Sequence, residues 1–370
     1  MATTLDDLKK IARGVMVFAE NETWRVYTGG KLFRQLRGKP IAGDSYFPED
    51  WIASVTPAYN PPRDGQYALE GLSVIRGTHV PLILLVELFP EDMLGEAHLD
   101  AFGPTPKVLA KFLDSNVRLP IQAHPDDEQA QKFFNEPNGK AEAWIIVGTR
   151  PVHGVEPYLL LGLKPGVDAE PFRKLVLTQD IQGQVEALHR IPVSPGDVYM
   201  VHGRTAHAIG SGVFMIEVQQ PSDLLVITER KCADFDITEE MCHMGIGWDK
   251  ALQMFQYGGE TLESVKSRLK LQPATITQTR DGEIRELIGY ETTPHFASRS
   301  ISVTGSLSLD NPRFYAGAVI RGGGNVRWER GEVELNSGDA FLVPNAVQAH
   351  EYIAAPDGLQ MITSEPPELP

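Results

Sequence analysis

Cysteine is almost missing from the 370-residue chain: it has two, Cys232 and Cys242, in neither a Cys-x-x-Cys nor a Cys–His spacing. That excludes a disulfide framework and a cysteine-held structural metal. Positive charge is also short, with 34 Lys+Arg against 49 Asp+Glu and a formal charge of −15. Such a surface is wrong for non-specific nucleic-acid binding, and an anionic ligand would need a local cluster of Lys and Arg. No apolar run approaches the ~20 residues of a membrane span. The longest, Val80 to Leu88, is strand-sized, and the N-terminus lacks a basic-then-apolar leader. The expectation is a cytoplasmic protein with neither nucleic-acid nor membrane partners. What is present, 42% hydrophobic and 22% charged residues, is ordinary for a globular chain of two to three domains.

Helical signals are few. The spacing predicts helices over Leu5 to Ala12, over Pro106 to Leu113 with Thr105 as cap, after His124 from Pro125 to Phe134, over Ala169 to Leu188, and over Trp248 to Leu271 with a break at Gly258-Gly259. Strand signals dominate elsewhere: Val80 to Leu88, Ala143 to Val147, Tyr158 to Gly162, Asp197 to Val201, Val213 to Val218, and nearly everything after Pro273. The expected class is mainly β, two jelly-roll sandwiches with short helical inserts. Residues 1–242 would form an N-terminal catalytic domain, 243–272 a helical connector and 273–370 a degenerate second copy. An internal echo supports two copies: Gly196-Asp197 matches Gly338-Asp339 in frame, and His207 falls opposite Ala349. His350, one place off, is expected to point the other way.

The densest chemical signal is Leu119-Pro-Ile-Gln-Ala-His-Pro-Asp. On a strand, Gln122 and His124 share a face. With Glu142, which opens an apolar strand, and His207 after the Gly-Asp strand, they supply two imidazoles and two oxygens. That set suits Zn²⁺ with an open position, and Mn²⁺, Fe²⁺, Co²⁺ or Ni²⁺ less well. Met215, Glu217 and Gln219 share one face of the next strand, Phe214, Ile216 and Val218 the other. An inward Glu217 needs a metal, a cation or a substrate as partner, while an outward one is an ordinary solvated carboxylate. Lys140 is either a turn lysine or a cation reaching the same cavity.

At these residues the chain resembles the class I mannose-6-phosphate isomerases, zinc enzymes of the cupin fold. The resemblance is carried by Gly29-Gly30-Lys-Leu, by Pro48-Glu-Asp-Trp and by Lys111 to Glu128 with its Gln-Ala-His-Pro-Asp. It continues through Gly139-Lys-Ala-Glu-Ala-Trp, Pro195-Gly-Asp, His207-Ala-Ile-Gly-Ser-Gly, Glu217-Val-Gln-Gln-Pro-Ser-Asp and Trp248-Asp-Lys-Ala-Leu. It implies one zinc per chain on Gln122, His124, Glu142 and His207, a catalytic Lys140 and an active-site Glu217. Pro120 stands where the family usually has Ser, and Ile227 where it usually has Arg. Arg204 and Arg230 are candidates to restore that charge, with Gln219 as a further substrate contact.

The implied reaction interconverts mannose 6-phosphate and fructose 6-phosphate through a cis-enediol, with Glu217 as base and Lys140 polarising or relaying. His202 is a weaker proton-shuttle candidate, and Asp126 reads as a helix cap. Pro120 and Ile227 keep two alternatives open: an isomerase or epimerase of a different sugar, phosphorylated or not, and a sugar-binding bicupin without catalysis. The ligand is a small sugar or sugar phosphate. Composition leaves monomer and homodimer undecided.

Overall fold

The computed structural model describes residues 4–39, 43–60, 69–310 and 313–370. Its strands pair antiparallel in three large sheets. A seven-stranded sheet runs in the order Lys270–Leu271, Val198–Val201, Glu142–Thr149, Val213–Gln219, Leu109–Asp114, Glu49–Ile52, Glu22–Thr23. A five-stranded sheet runs Val226–Ile227, Gln122–Ala123, His207–Ile209, Tyr158–Leu163, Leu188–Pro192. These two form the first sandwich, because Trp144, Ile146, Tyr199 and Met215 of one share a buried cluster with Ala123, Leu159, Leu161 and Ala208 of the other.

Strand alternation sorts the larger sheet. Ala143, Ile145, Phe214, Ile216 and Val218 leave by its other face and pack on Leu82, Leu85 and Met93 of helices and on Ala316, Leu342 and Ile362 of a nine-stranded sheet. That third sheet takes in the strands from Ala274 to Glu365 and also the N-terminal Met16–Val17, which pairs with Phe341 and Leu342. The jelly-roll, mainly β class expected from the sequence is the observed one.

Three local expectations are corrected. Val80 to Leu88 is not a strand: Leu82–Leu88 is a helix entered from the extended Pro81, with Leu82, Leu85 and Val86 buried at helical spacing. Pro106 to Leu113 is not a helix. Leu109–Asp114 is a strand buried at all six positions, and a strand covered on both faces shows no alternation to read. Ala169 to Leu188 is two helices, Ala169–Thr178 and Ile181–Glu186, divided at left-handed Gln179, and the Asp180 carboxylate accepts from the Gly183 N–H.

The internal repeat is real at its turns. Gly196 and Gly338 both take positive φ (93° and 84°), and Asp197 and Asp339 each accept a backbone N–H three residues earlier, from Ser194 at 3.2 Å and Asn336 at 3.0 Å. The frame holds through the strands that follow, Val198–Val201 and Ala340–Val343, but burial then differs between the copies. Ala349 is exposed while His350 is buried, so His350 points inward, where its Nε2 meets the Tyr315 hydroxyl at 2.6 Å.

Candidate active site

Two elements of the five-stranded sheet and one of the seven-stranded sheet bring three side chains together. Gln122–Ala123 pairs with His207–Ile209, placing Gln122 opposite His207, and Val226–Ile227 closes the far side with Ile227 opposite Gln122. The residue before the ligand strand is clamped: Glu229 accepts the Ile121 N–H at 2.7 Å while gripping Arg118 through both oxygens at 2.6 and 2.7 Å. Asp126 caps the helix Asp127–Phe134 by accepting the Gln129 N–H, as the sequence suggested. Two glycines let the neighbouring loops close on that turn. A Cβ at Gly139 would lie 2.6 Å from the Asp126 carbonyl carbon, and one at Gly203 would lie 2.9 Å from the Asp126 nitrogen. Only glycine allows the loops leading to Lys140 and His207 to approach so closely.

His124, Glu142 and His207 are buried, and their donor atoms lie within 4.8 Å of one another. His124 Nδ1 meets the Leu224 carbonyl and His207 Nδ1 the Thr205 carbonyl, both at 2.8 Å. A carbonyl only accepts, so each Nδ1 carries the proton and each Nε2 keeps a lone pair. Those nitrogens face Glu142 at 3.3 and 3.4 Å. Both Glu142 oxygens are buried: Oε2 pairs with the Lys140 ammonium at 2.9 Å, and Oε1 faces His207 at 3.4 Å without a donor. The Lys140 ammonium, 2.9 Å from Glu142 and 3.2 Å from His124 Nε2, offsets part of this gathering of lone pairs, and two imidazole nitrogens converging on one carboxylate are a donor set that fits a divalent metal. The Gln122 amide is 3.2 Å from His207 Nε2, and a half-turn of that amide presents oxygen in place of nitrogen.

The electrostatics agree. Burial, then the Lys140 ammonium, pushes His124 down to about 4, and burial lowers His207. Burial alone would raise Glu142, but the Lys140 ammonium holds it well below the usual carboxylate range. All three are thus in the forms that coordinate metal.

A cavity of about 890 Å³, counting space open to solvent at its mouth, leads away from this cluster. Its charged wall alternates in sign. Lys140 Nζ is 2.9 Å from Glu142 and 3.9 Å from Glu217; Lys111 Nζ is 3.2 Å from Glu217 and 3.7 Å from Glu49. Arg25 Nε is 3.1 Å from Glu49 and its Nη2 is 3.3 Å from Asp223. Tyr27 and Trp51 both donate to Glu49, at 2.6 and 2.8 Å. Burial would raise Glu49, yet Arg25 and Lys111 bring it down to about 2, so it stays ionised. Carboxylates press the other way on Lys140 and hold it above its ordinary value against burial.

Gln122, His124, Lys140 and Glu217 line this cavity, and Glu142 and His207 complete the cluster beside it. Met215, Glu217 and Gln219 share a face as expected, but Gln219 does not line the cavity. It is wholly buried, with Nε2 donating to the Gln220 and Ser222 carbonyls. Arg204 and Arg230 do not line it either. Arg204 is 42% exposed near Asp126, and Arg230, 38% exposed, pairs with Glu239 at 2.9 Å. Among the described residues, the guanidinium that lines the cavity is that of Arg25.

Sequence reasoning missed Arg25, Glu49, Lys111 and Asp223. Lys111 lies in a strand buried at all six positions, where no alternation marks one face, and reading that stretch as helix hid it. Among the described residues no helix is long and apolar enough to cross a membrane.

No family model matches the chain. It is similar to a probable mannose-6-phosphate isomerase, GmuF, of Bacillus subtilis (strain 168), 27% identical over 258 residues that cover 68% of this chain and 75% of that protein. It is also similar to a mannose-6-phosphate isomerase of Streptococcus mutans, 26% identical over 344 residues, 91% of this chain and 94% of that one. In fold it resembles the crystal structure of the mannose 6-phosphate isomerase from Bacillus subtilis, with a TM-score of 0.73 at 20% identity, covering 95% of this chain and 99% of the other.

Proposed function

We propose that this chain, which belongs to the mannose-6-phosphate isomerase family, interconverts mannose 6-phosphate and fructose 6-phosphate in the cavity beside His124, Glu142 and His207. The observation that carries the proposal is a pair of features in one place: three converging metal donors, and a carboxylate, Glu217, set between two buried ammonium groups. The resident ion of the proposal is Zn²⁺, held by His124, Glu142, His207 and the Gln122 oxygen; Mn²⁺, Fe²⁺, Co²⁺ and Ni²⁺ accept the same donors. When bound, it supplies Lewis-acid polarisation of the sugar's C1 and C2 oxygens.

The chain's own residues do the rest. In the aldose-to-ketose direction a proton leaves C2 and returns to C1, and the O2 proton passes to O1, so the reaction balances without a co-reactant. Glu217 takes and returns the carbon-bound proton as general base. Lys140 and Lys111, 3.9 and 3.2 Å from its Oε1, keep the carboxylate in place and donate hydrogen bonds to the oxygens on which enediolate charge develops. The apolar wall around Leu113, Leu119 and Ile209 excludes water and strengthens those contacts. The buried, unpaired thiols Cys232 and Cys242, both pushed up to about 12 by burial, are in keeping with a cytoplasmic setting.

The test is conversion of mannose 6-phosphate to fructose 6-phosphate by metal-loaded and by chelator-stripped protein. Turnover that requires the metal and disappears in Glu217→Gln is expected. Undiminished turnover by the stripped protein contradicts the proposal.

A further inference from the structure

Lys140 is fastened along its own backbone from both sides. The Gly139 N–H donates to Asp127 Oδ1 at 2.7 Å, the Lys140 N–H to the Pro125 carbonyl at 3.0 Å, and the Ala141 N–H to Gln220 Oε1 at 2.9 Å. The two flanking acceptors are joined to each other, since Gln220 Nε2 donates to Asp127 Oδ1 at 2.8 Å. The Gln220 N–H also returns to the Ala141 carbonyl at 3.0 Å. Gln220 is buried and follows directly on Val213–Gln219, the strand that carries Glu217. Asp127 is exposed and opens the helix that follows His124. One carboxamide and one carboxylate therefore tie the lysine's backbone to the turn after a metal donor and to the end of the strand bearing the base.

Chemistry allows the Gln220 amide a single orientation here. A carboxylate only accepts, so Nε2 faces Asp127; a backbone N–H only donates, so Oε1 faces Ala141. Turned over, the amide would set donor on donor and oxygen on oxygen. Neither Gln220 nor Asp127 lines the cavity, so each reaches the reaction only through what it holds. What they hold is the root of a flexible four-carbon stem. Its tip lies 2.9 Å from Glu142, 3.2 Å from His124 Nε2 and 3.9 Å from Glu217. A shift of the root by about an ångström would take the ammonium out of hydrogen-bond reach of the first two.

Resting on the isomerase reading, we infer that Gln220 and Asp127 are positioning residues for the reaction. They hold the Lys140 ammonium where it donates to the oxygens that gain enediolate charge, and they take no part in binding the metal.

The experiment measures kcat and KM for mannose 6-phosphate and, separately, Zn²⁺ affinity by chelator competition, in Gln220→Leu, Asp127→Ala and Asp127→Asn. Gln220→Leu keeps the bulk and removes both hydrogen bonds. Asp127→Ala removes the acceptor shared by Gly139 and Gln220, at an exposed position that does not endanger folding. In these two variants kcat falls by about 10- to 100-fold, the worth of an ångström of misplacement, while KM and Zn²⁺ affinity stay within about threefold of wild type. Asp127→Asn keeps an accepting Oδ1 and recovers most of the lost kcat. A bracket that merely stabilised the fold would lower the urea midpoint of all three and leave kcat of the folded protein unchanged. A fall in kcat of less than about tenfold in Asp127→Ala overturns the inference and leaves the isomerase reading standing. So does a parallel loss of Zn²⁺ affinity, or an Asn variant no more active than the Ala variant. Absence of turnover by metal-loaded wild type overturns the isomerase reading, and the inference with it. Asp127→Ala decides the matter even where Gln220→Leu does not fold.

Discussion

Replacing Glu142 by Gln keeps the shape of the side chain and removes its charge, which separates two effects. In metal-free protein the variant leaves the Lys140 ammonium, whose side chain is 7% exposed, without its 2.9 Å partner and with Glu217 only at 3.9 Å. Breaking a buried ion pair costs about 3–5 kcal/mol. Part of this is recovered, because the new amide can donate to the imidazole lone pairs 3.3 and 3.4 Å from the original oxygens. The expected loss in chelator is therefore near the low end, about 3 kcal/mol. In the presence of Zn²⁺ the two proteins diverge further. At free metal about 100 times its dissociation constant, wild type gains about 2.7 kcal/mol, and the variant gains almost nothing. Urea unfolding with and without metal reads both quantities. A variant that is as strongly stabilised by Zn²⁺ as the wild type would refute the assignment of Glu142 to the metal.

Glu217→Gln should retain metal-dependent stabilisation while kcat falls by about 10²–10⁴, the usual worth of a positioned general base; loss of the metal effect as well would place Glu217 in the coordination set instead. Gly139→Ala puts a Cβ 2.6 Å from the Asp126 backbone, so the loop bearing Lys140 must move, costing about 1–3 kcal/mol. Unchanged urea midpoints and metal affinity would show that the close approach is dispensable. In the nine-stranded sheet, burial pushes His350 from 6.5 down to about 4. The unfolded chain protonates first as pH falls, so the stability this group contributes above pH 6.5 is lost on the way to 4. Wild type should lose about 2 kcal/mol more than His350→Gln between pH 7 and pH 5; equal losses in parallel urea titrations would contradict it.

How much of this was legible in the sequence depended on what each signal encoded. That Gln122, His124, Glu142 and His207 come together was readable because Gln122 and His124 sit at strand spacing and Glu142 and His207 each mark the start of a strand. That Met215, Glu217 and Gln219 share a face followed from alternation, but not that the face looks inward, since the strand is buried at every position. Alternation fails where both faces are covered, so Leu109–Asp114 was taken for a helix, and Lys111 went unnoticed with it. Arg25, Glu49 and Asp223 were invisible for another reason: they lie far apart in the chain and become a charged wall only through tertiary packing. Arg204 and Arg230 show the converse, charges near the right sequence positions whose side chains leave for Asp126 and Glu239. The inward turn of His350 could not be read in advance either, because the copies stay in frame while their burial differs: His207 is buried, but its counterpart Ala349 is exposed.

An anomalous-scattering map recorded at the zinc edge from crystals grown with Zn²⁺ tests the central claim most directly. It should hold a single strong peak among His124 Nε2, the Glu142 carboxylate, His207 Nε2 and the Gln122 oxygen. A map without a peak there, or with its metal on other residues, would contradict the account.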